Sequence, residues 1–439
     1  MRTRPISQAR LPVLGRMPLA LLALWMVMGT PQAADAVNGL NLIGSGGWSS
    51  ALAGADTAIA LDFTTMNTNP AGMSRITEWT AGLSFGTIKP NSRFQNVANN
   101  VEGSDDALLF TNFGYIKALA GTPISLGIGF FTTGGIATDF RGLRTPFALD
   151  DRTGSQLRHY KVTPSVSIQL TDSLSIGASI GLSYADAALT VLPNTPTGFA
   201  IEGSCTHHSG LAPPGGTCAY ALGITPKFGI MYQVTDRLTL GLAYTMGTNL
   251  PLRNGRGTQN LGPLGTASFD VKATGLKWAD DLSVGLSYRP TDALLLALKF
   301  QWINWDGALN NIVIDFTNGS NPLAPTSQAV VPFNWRDQYV TALGAAYDLT
   351  TSLNLHGGYN FGNNPTRSTS LDPTTANITE HHFVGGLLYR ITPSLWLDSN
   401  FTYVLAGTQT YNSPLYGPNT TSRVGGYELI FTLGYWPKS

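Results

Sequence analysis

Between Leu174 and Tyr184 apolar and small polar positions alternate without a break: Leu174, Ile176, Ala178, Ile180, Leu182 and Tyr184 interleave with Ser175, Gly177, Ser179, Gly181 and Ser183. Side chains of a strand point alternately to its two faces, so this period of two predicts a strand with one oily face and one lined by small groups. The pattern recurs at Leu238, Leu240, Leu242 and Tyr244, at Leu282, Val284, Leu286 and Tyr288, and at Tyr427, Leu429, Phe431, Leu433 and Tyr435. Five times a short phrase joins two such runs: an apolar or tyrosine residue, two positions, then a threonine that opens a tight turn. The instances are Ile168 to Thr171, Tyr232 to Thr235, Tyr288 to Thr291, Tyr347 to Thr350 and Tyr389 to Thr392. Strands oily on one side, with aromatic rings gathered at one end, describe a membrane barrel with an interfacial girdle. A soluble sandwich would need polar outer faces, which these strands lack.

Fourteen strands can be read in this way, at 79 to 88, 107 to 117, 123 to 133, 158 to 170, 173 to 190, 219 to 233, 236 to 247, 266 to 290, 293 to 305, 337 to 349, 352 to 363, 381 to 391, 394 to 407 and 425 to 436. The eighth is interrupted by Gly275 to Asp280 and also reads as two pieces. Tight turns such as Thr171 to Asp172 alternate with long segments rich in Gly, Pro, Asn and Thr. Outer-membrane barrels place short turns in the periplasm and long loops outside. An even strand number then puts both termini in the periplasm. The expected fold is all-β: a 14-stranded antiparallel transmembrane β-barrel in the outer membrane of a Gram-negative cell.

The start of the chain suits that compartment. Arg2, Arg4, Arg10 and Arg16 precede an apolar core from Pro18 to Gly29, and Ala33, Ala34 and Ala36 follow. This is the layout of a secretory signal peptide over residues 1–36, cleaved near 33–36, and its core is too short to span a bilayer as a helix. Residues 37–78 are too apolar for a free tail yet have no strand pattern. With Leu40, Leu42, Ile43, Trp48, Leu52, Ile59, Phe63 and Met66 they must bury somewhere, and the lumen of the barrel formed by residues 79–439 is the nearest place. The segment is therefore read as an N-terminal plug.

Composition narrows the function. Only 12% of residues are charged, with 26 Lys+Arg against 26 Asp+Glu, which excludes a basic nucleic-acid surface. Two Gly-x-Ser-x-Gly matches, around Ser84 and Ser179, fall inside alternating strands, where no strained nucleophile elbow forms; an enzyme is not expected. Cys205 and Cys218, the only cysteines, lie in one long outer loop, and in an exported protein they are expected to form a disulfide worth about 3 kcal/mol. His207 and His208 beside them match no zinc spacing. His381 and His382 are adjacent on a strand and point oppositely, so neither a metal nor a cofactor is expected. Trp302, Trp305 and Trp335 sit where interfacial anchors belong.

Several stretches together resemble one family. They are Asn69-Pro70-Ala71-Gly72 just before the first strand, Trp335-Arg336-Asp337 through Tyr347, Gly358-Tyr359, Asn364-Pro365, and Glu380-His381-His382 followed by Gly385 to Tyr389. Over the whole mature chain this is similar to the FadL-type outer-membrane transporters of long-chain fatty acids and other hydrophobic compounds. The resemblance implies passive uptake: an apolar solute is caught among the outer loops, passes to a pocket between plug and wall, and leaves sideways through a gap near the third strand. A hydrophobic solute gains roughly 0.8 kcal/mol per buried methylene, so an apolar lumen can draw it in without an energy source. Gly134 and Gly135, at the end of the third strand, are the candidates for that gap.

Candidate ligand contacts are Leu42, Ile43, Trp48, Ile59 and Phe63 for an apolar tail and Lys161 and Lys299, inward by phase, for a carboxylate head group. Alternatively each lysine pairs with Asp398 or Glu428, and the cargo is then an uncharged alkane or aromatic hydrocarbon. A structural or adhesive barrel without transport is the rival function. The expected partners are a hydrophobic small molecule or fatty acid, outer-membrane lipid and lipopolysaccharide, and the barrel assembly machinery, with no nucleic acid and with the barrel a monomer.

Overall fold

In the computed structural model the described residues are 37–104, 107–202 and 219–437. They belong to one compact unit. The expected signal peptide and the Cys205–Cys218 bridge therefore lie outside the described residues.

A single antiparallel circuit closes on itself. It runs through Trp79–Gln95, Leu108–Ala118, Ile124–Leu143, Asp151–Gln169, Leu174–Val191, Ala219–Thr235, Leu238–Thr245, Asp281–Tyr288, Leu294–Ile303, Gln338–Asp348, Leu353–Gly362, His381–Arg390, Leu395–Ser413 and Gly417–Tyr435. The last strand returns to the first, with Phe431 opposite Phe85. Closure removes the sheet edges, and this is what lets strand backbone sit in lipid with its polar groups satisfied. No helix among the described residues is long and apolar enough to cross a membrane.

The turn threonines account for the short connections. Thr171, Thr235, Thr291, Thr350 and Thr392 each accept, on Oγ1, the backbone N–H of the leucine three residues on, at 3.0, 3.1, 3.2, 3.0 and 2.9 Å. A hydroxyl that caps its own turn makes a two-residue reversal at the strand end favourable. The faces follow the alternation: Phe85, Ile180 and Leu182 are 57, 52 and 53% exposed, while Ser84, Ser179 and Ser183 between and beside them are buried. Apolar outside and polar inside is the reverse of a soluble protein. Trp79 stacks on Tyr435 at the short-turn end, and Tyr359 meets Phe383 toward the long-loop end, as girdle residues do.

The strand count is a correction. Among the described residues the sheet holds 22 strands, more than the fourteen expected, because pairing continues past the oily band of the closed circuit. Ile124–Leu143 and Asp151–Gln169 stay paired up to Leu143 and Asp151, through what was expected to be loop. Phe199–Glu202, Leu252–Asn260, Thr266–Thr274, Asn311–Thr317 and Ser327–Pro332 add a sheet at the long-loop end. The expected strand 266 to 290 is two, Thr266–Thr274 and Asp281–Tyr288, separated where Lys277–Trp278 pairs with Thr248–Asn249. Above the membrane neither face meets lipid, so alternation stops while hydrogen bonding does not. Trp305 and Trp335 also differ from expectation. Both are fully buried, in edge contact at 5.5 Å within an apolar core at the long-loop end, and do not anchor an interface.

Residues 37–76 lie against the inward face on every side of the circuit. Gly47 N donates to Thr432 Oγ1, Asn112 Nδ2 to the Ser45 carbonyl, Ser167 Oγ to the Ala71 carbonyl, Ser287 Oγ to the Ala58 carbonyl and Asn360 Nδ2 to the Ala53 carbonyl, all at 2.9–3.1 Å. The segment uses only short elements: helices Gly47–Ala51 and Thr65–Thr68, the 3-10 helix Pro70–Arg75, and the two-residue strands Val37–Asn38 and Asn41–Leu42.

Candidate functional site

The wall is incomplete at one place. Leu108–Ala118 pairs with Ile124–Leu143 only from Phe113–Phe130 down to Ala118–Ser125. Above that the Thr132 N–H bonds the Asn112 side chain of the neighbouring strand, at 2.7 Å, in place of its backbone. Gly134 and Gly135 follow with φ +154 and +156, and the register of the third strand against Asp151–Gln169 shifts between Thr132 and Gly134. A bulge at paired glycines bends a strand and ends its pairing on one side. The N-terminal segment supplies the missing neighbour: Asn41 pairs with Gly134, and Gly135 N donates to the Leu40 carbonyl at 3.0 Å. A Cβ on Gly134 would stand 1.7 Å from that carbonyl oxygen, so the close approach needs glycine.

An apolar cavity of about 90 Å³ lies at this gap, lined by Leu42, Ile88, Leu108, Phe110, Ile136 and Leu157 among others. A second, polar cavity of about 100 Å³ lies on the inner side of the same segment. Leu42 lines both. The polar cavity gathers Lys161, Lys227 and Lys299 against Asp56 and Asp281, with His159 beside them, so cations exceed carboxylates by one. Lys299 bonds Asp56 at 3.1 Å and Gln301 bonds Asp281 at 3.1 Å. Neither Lys161 nor Lys227 has a hydrogen bond or ion pair to a described residue. Buried cations without such partners are costly, and an anion arriving among them is correspondingly favoured.

The sequence expectations are partly regrouped. Leu42, Ile43, Lys161 and Lys299 converge on the polar cavity. Trp48 lies elsewhere, lining a cavity of about 330 Å³ at the short-turn end with Arg75, Arg289 and Arg390. Ile59 packs with Leu52, Leu295 and Ala297, and Phe63 with Met66 and Phe131; both fill space between segment and wall. The pairing expected for the lysines is corrected: Lys299 takes Asp56 of the N-terminal segment, whereas Asp398 accepts from Asn400 and lies 3.6 Å from His356, and Glu428 accepts from Thr402. Phase put all these groups inside, but which of them meet depends on strand stagger and on the segment's path. Lys227 shares the inward phase of Thr225 and Gly229, but nothing in its own strand says that it meets Lys161. Asp56 was missed because nothing in its loop marks a face.

The Asn69-Pro70-Ala71 motif is a joint. Asn69 Oδ1 accepts from Ala71 N at 3.2 Å, capping the 3-10 helix, while its Nδ2 donates to the carbonyls of Thr57 and Ile230 at 2.8 and 3.0 Å. Proline at the first helical position suits that cap. One side chain thus ties the helix, the rest of the segment and the wall together. Nearer the middle of the segment, Asp62 accepts from Trp48 N and from Thr64 N and Oγ1 at 2.9, 2.9 and 2.5 Å, and burial raises its carboxyl above the usual 3.8.

A closed barrel, an inward-folded N-terminal segment and a wall gap at the third strand are now in place, and the family model for outer membrane protein transport proteins (OMPP1/FadL/TodX) matches residues 26–435. The chain belongs to this family. No curated protein matches it. Among solved structures it is similar to the Pseudomonas putida toluene transporter TodX, with 16% identity, 91% of this chain and 100% of that chain covered, and a TM-score of 0.76. It is similar also to the Ralstonia pickettii toluene transporter TbuX (19%, 90% and 99% covered, TM-score 0.71) and to the CymD monoaromatic hydrocarbon channel (18%, 91% and 99%, TM-score 0.67). At these identities the shared property is the fold. Membership makes the chain an outer-membrane channel for hydrophobic compounds.

Proposed function

We propose that the channel takes up long-chain fatty acids, with residues 37–78 as its plug, and releases them sideways between Leu108–Ala118 and Ile124–Leu143. The observation that carries this reading is the wall gap at Gly134 and Gly135, filled by Leu40–Leu42, with Leu42 standing between its apolar cavity and a cavity rich in lysine. Lys161 and Lys227 would hold the carboxylate, and Leu42 and Ile43 would meet the start of the tail. Both cavities are far below the roughly 300 Å³ of a pocket for a drug-sized ligand, so a fatty acid passes only when the N-terminal segment shifts. The short-turn end, where the segment leads into the wall, faces the periplasm in this reading, and the long-loop end faces outside.

The toluene and monoaromatic titles of the similar structures favour a second reading, in which the cargo is an aromatic hydrocarbon. A small neutral ring suits small cavities and needs no lysine. Uptake of labelled oleate and of labelled toluene into proteoliposomes separates the two. Oleate uptake that saturates and falls with Lys161→Met supports the fatty-acid reading; toluene uptake alone replaces it, and neither cargo entering leaves a structural surface barrel.

A further inference from the structure

At the short-turn end the N-terminal segment and the wall enclose the cavity of about 330 Å³, which shares no lining residue with the cavities at the wall gap and around the lysines. Unlike those two it reaches the roughly 300 Å³ of a pocket for a drug-sized ligand. Trp48, Leu61 and Arg75 line it from the segment, and Arg289, Leu295 and Ala346 from the wall. Thr77 and Glu78 line it too and are exposed, which places its mouth where the segment passes into the first strand. Its apolar side is part of one cluster: Trp48, Leu295 and Ala346 belong to that cluster, and Leu61 and Trp436 pack against it.

The polar side holds charge that the protein does not neutralise. Arg390 pairs with Asp348 at 3.2 Å. Arg75 donates to the carbonyls of Asp172 and Ser173 at 2.9 and 2.7 Å and to Gln233 Oε1 at 3.0 Å. These acceptors are neutral, so they satisfy its N–H groups and leave its charge. Arg289 has the inward phase of Ser287 and is half-buried. Its backbone N–H bonds the Arg237 carbonyl at 2.8 Å, while its guanidinium has no hydrogen bond or ion pair to a described residue. Glu78, the other carboxylate of the lining, is exposed and has no ion pair to a described residue. Trp48 adds a neutral donor: it is 6% exposed, and its Nε1–H is buried without an acceptor among the described residues.

We propose that this cavity binds an amphipathic monocarboxylate, with the carboxylate on the Arg289 guanidinium and the hydrocarbon against Leu61, Leu295 and Trp436. A guanidinium matches a carboxylate with two parallel bonds, and the hydrocarbon gains by leaving water. Three arginines against Glu78 and Asp348 leave one positive charge in excess, which a monoanion neutralises and a phosphate dianion would overshoot. The occupant touches segment and wall together, so it favours the state in which the two are docked. The site is separate from the proposed uptake route and rests on neither its cargo nor its exit.

Decanoate is the probe, added by isothermal titration to the full chain at one detergent concentration; decanol carries the same tail without charge, and acetate the charge without a tail. The background is Lys161→Met/Lys227→Met, which removes the two lysines that could take a carboxylate elsewhere. Decanoate is expected to bind in that background at least about tenfold more tightly than decanol or acetate, and adding Arg289→Met is expected to weaken it by about tenfold or more, with Arg289→Lys falling between. Saturating decanoate should also slow proteolysis within residues 57–75 when Arg289 is present and not when it is replaced. Heat-modifiable gel mobility checks that each barrel is folded, and Arg289→Gln takes the place of Arg289→Met if that variant is not. Equal decanoate affinity with and without the Arg289 guanidinium overturns the proposal, as does decanol or acetate binding as tightly as decanoate. Loss of all decanoate binding with the two lysines overturns it while leaving the fatty-acid reading of the lysine cavity in place. Binding that survives loss of the lysines and disappears with Arg289 does the reverse.

Discussion

Gly135 donates its backbone N–H to the carbonyl of Leu40 at 3.0 Å, so a strand of the barrel wall takes its neighbour from the N-terminal segment. The bond joins the N-terminal segment to the wall at the proposed exit. Gly134→Ala places a methyl group against the Leu40 carbonyl on a backbone at φ +154. The expected outcome is displacement of Leu40 and Asn41 from the gap at a cost of about 1–3 kcal/mol. Faster maleimide labelling of Leu40→Cys in the Gly134→Ala background, with an earlier urea midpoint, is the measurement; unchanged labelling would show that the contact does not hold the gap shut.

The lysines separate the two cargo classes. Lys161→Met and Lys227→Met each remove a buried cation that has no hydrogen bond or ion pair to a described residue, so the fold is expected to keep or gain stability. A charge-assisted bond to a carboxylate contributes about 1.5–3 kcal/mol, and oleate affinity is expected to fall roughly tenfold or more while toluene uptake stays at the wild-type rate. Isothermal titration with oleate reads the first and vesicle uptake the second. An equal loss for both cargoes would assign the lysines to structure.

Asp56 and Lys299 answer differently because they form a pair across the boundary between segment and wall. Their side chains are 7 and 13% exposed. Asp56→Asn leaves Lys299 buried without its charge partner, at an expected cost of about 3–5 kcal/mol, whereas Asp56→Leu with Lys299→Met recovers most of that loss. Urea unfolding of the single and double variants checks the sign, and a double variant weaker than either single one would contradict it.

Asp62 predicts a pH effect with a definite sign. Burial raises its carboxyl above 3.8, so the folded segment holds the proton more tightly than the unfolded chain does. Its contribution is most favourable below the unfolded value and is lost as pH rises from about 3.8 through the raised value. Hydrogen exchange at Trp48 and Thr64, corrected for intrinsic rates, should show protection falling over that window in wild type and staying level in Asp62→Asn. Parallel curves would remove Asp62 as the cause.

Asn69→Ala removes one acceptor and two donors, and the Thr57 and Ile230 carbonyls lose a partner. A loss of about 2–3 kcal/mol is expected from the unmet groups, read as faster proteolysis within residues 57–75 while the barrel keeps its gel mobility. Loss of the barrel itself would mean that the motif acts in assembly.

Much of this was legible because lipid imposes a strict rule. Each wall strand inside the membrane must alternate, and each reversal between them needs a cap, so Leu174 to Tyr184 and the five threonines declare the barrel on their own. The oily, unpatterned stretch from Leu40 to Met66 likewise has nowhere else to go. Gly134 and Gly135 could be singled out by type and place. Past the oily band the alternation fades and the reading stops, although Ile124–Leu143 and Asp151–Gln169 stay paired.

The side of the wall on which each residue lies follows from local backbone geometry and could be read from the alternation. Tertiary structure alone decided which inward groups meet. Lys299 could have faced Asp398 by phase but found Asp56, and Lys227 joined Lys161 from two strands away. Those encounters depend on how far neighbouring strands are staggered around a closed circuit and on the path of a segment with no periodicity, and neither is written in any short run of residues.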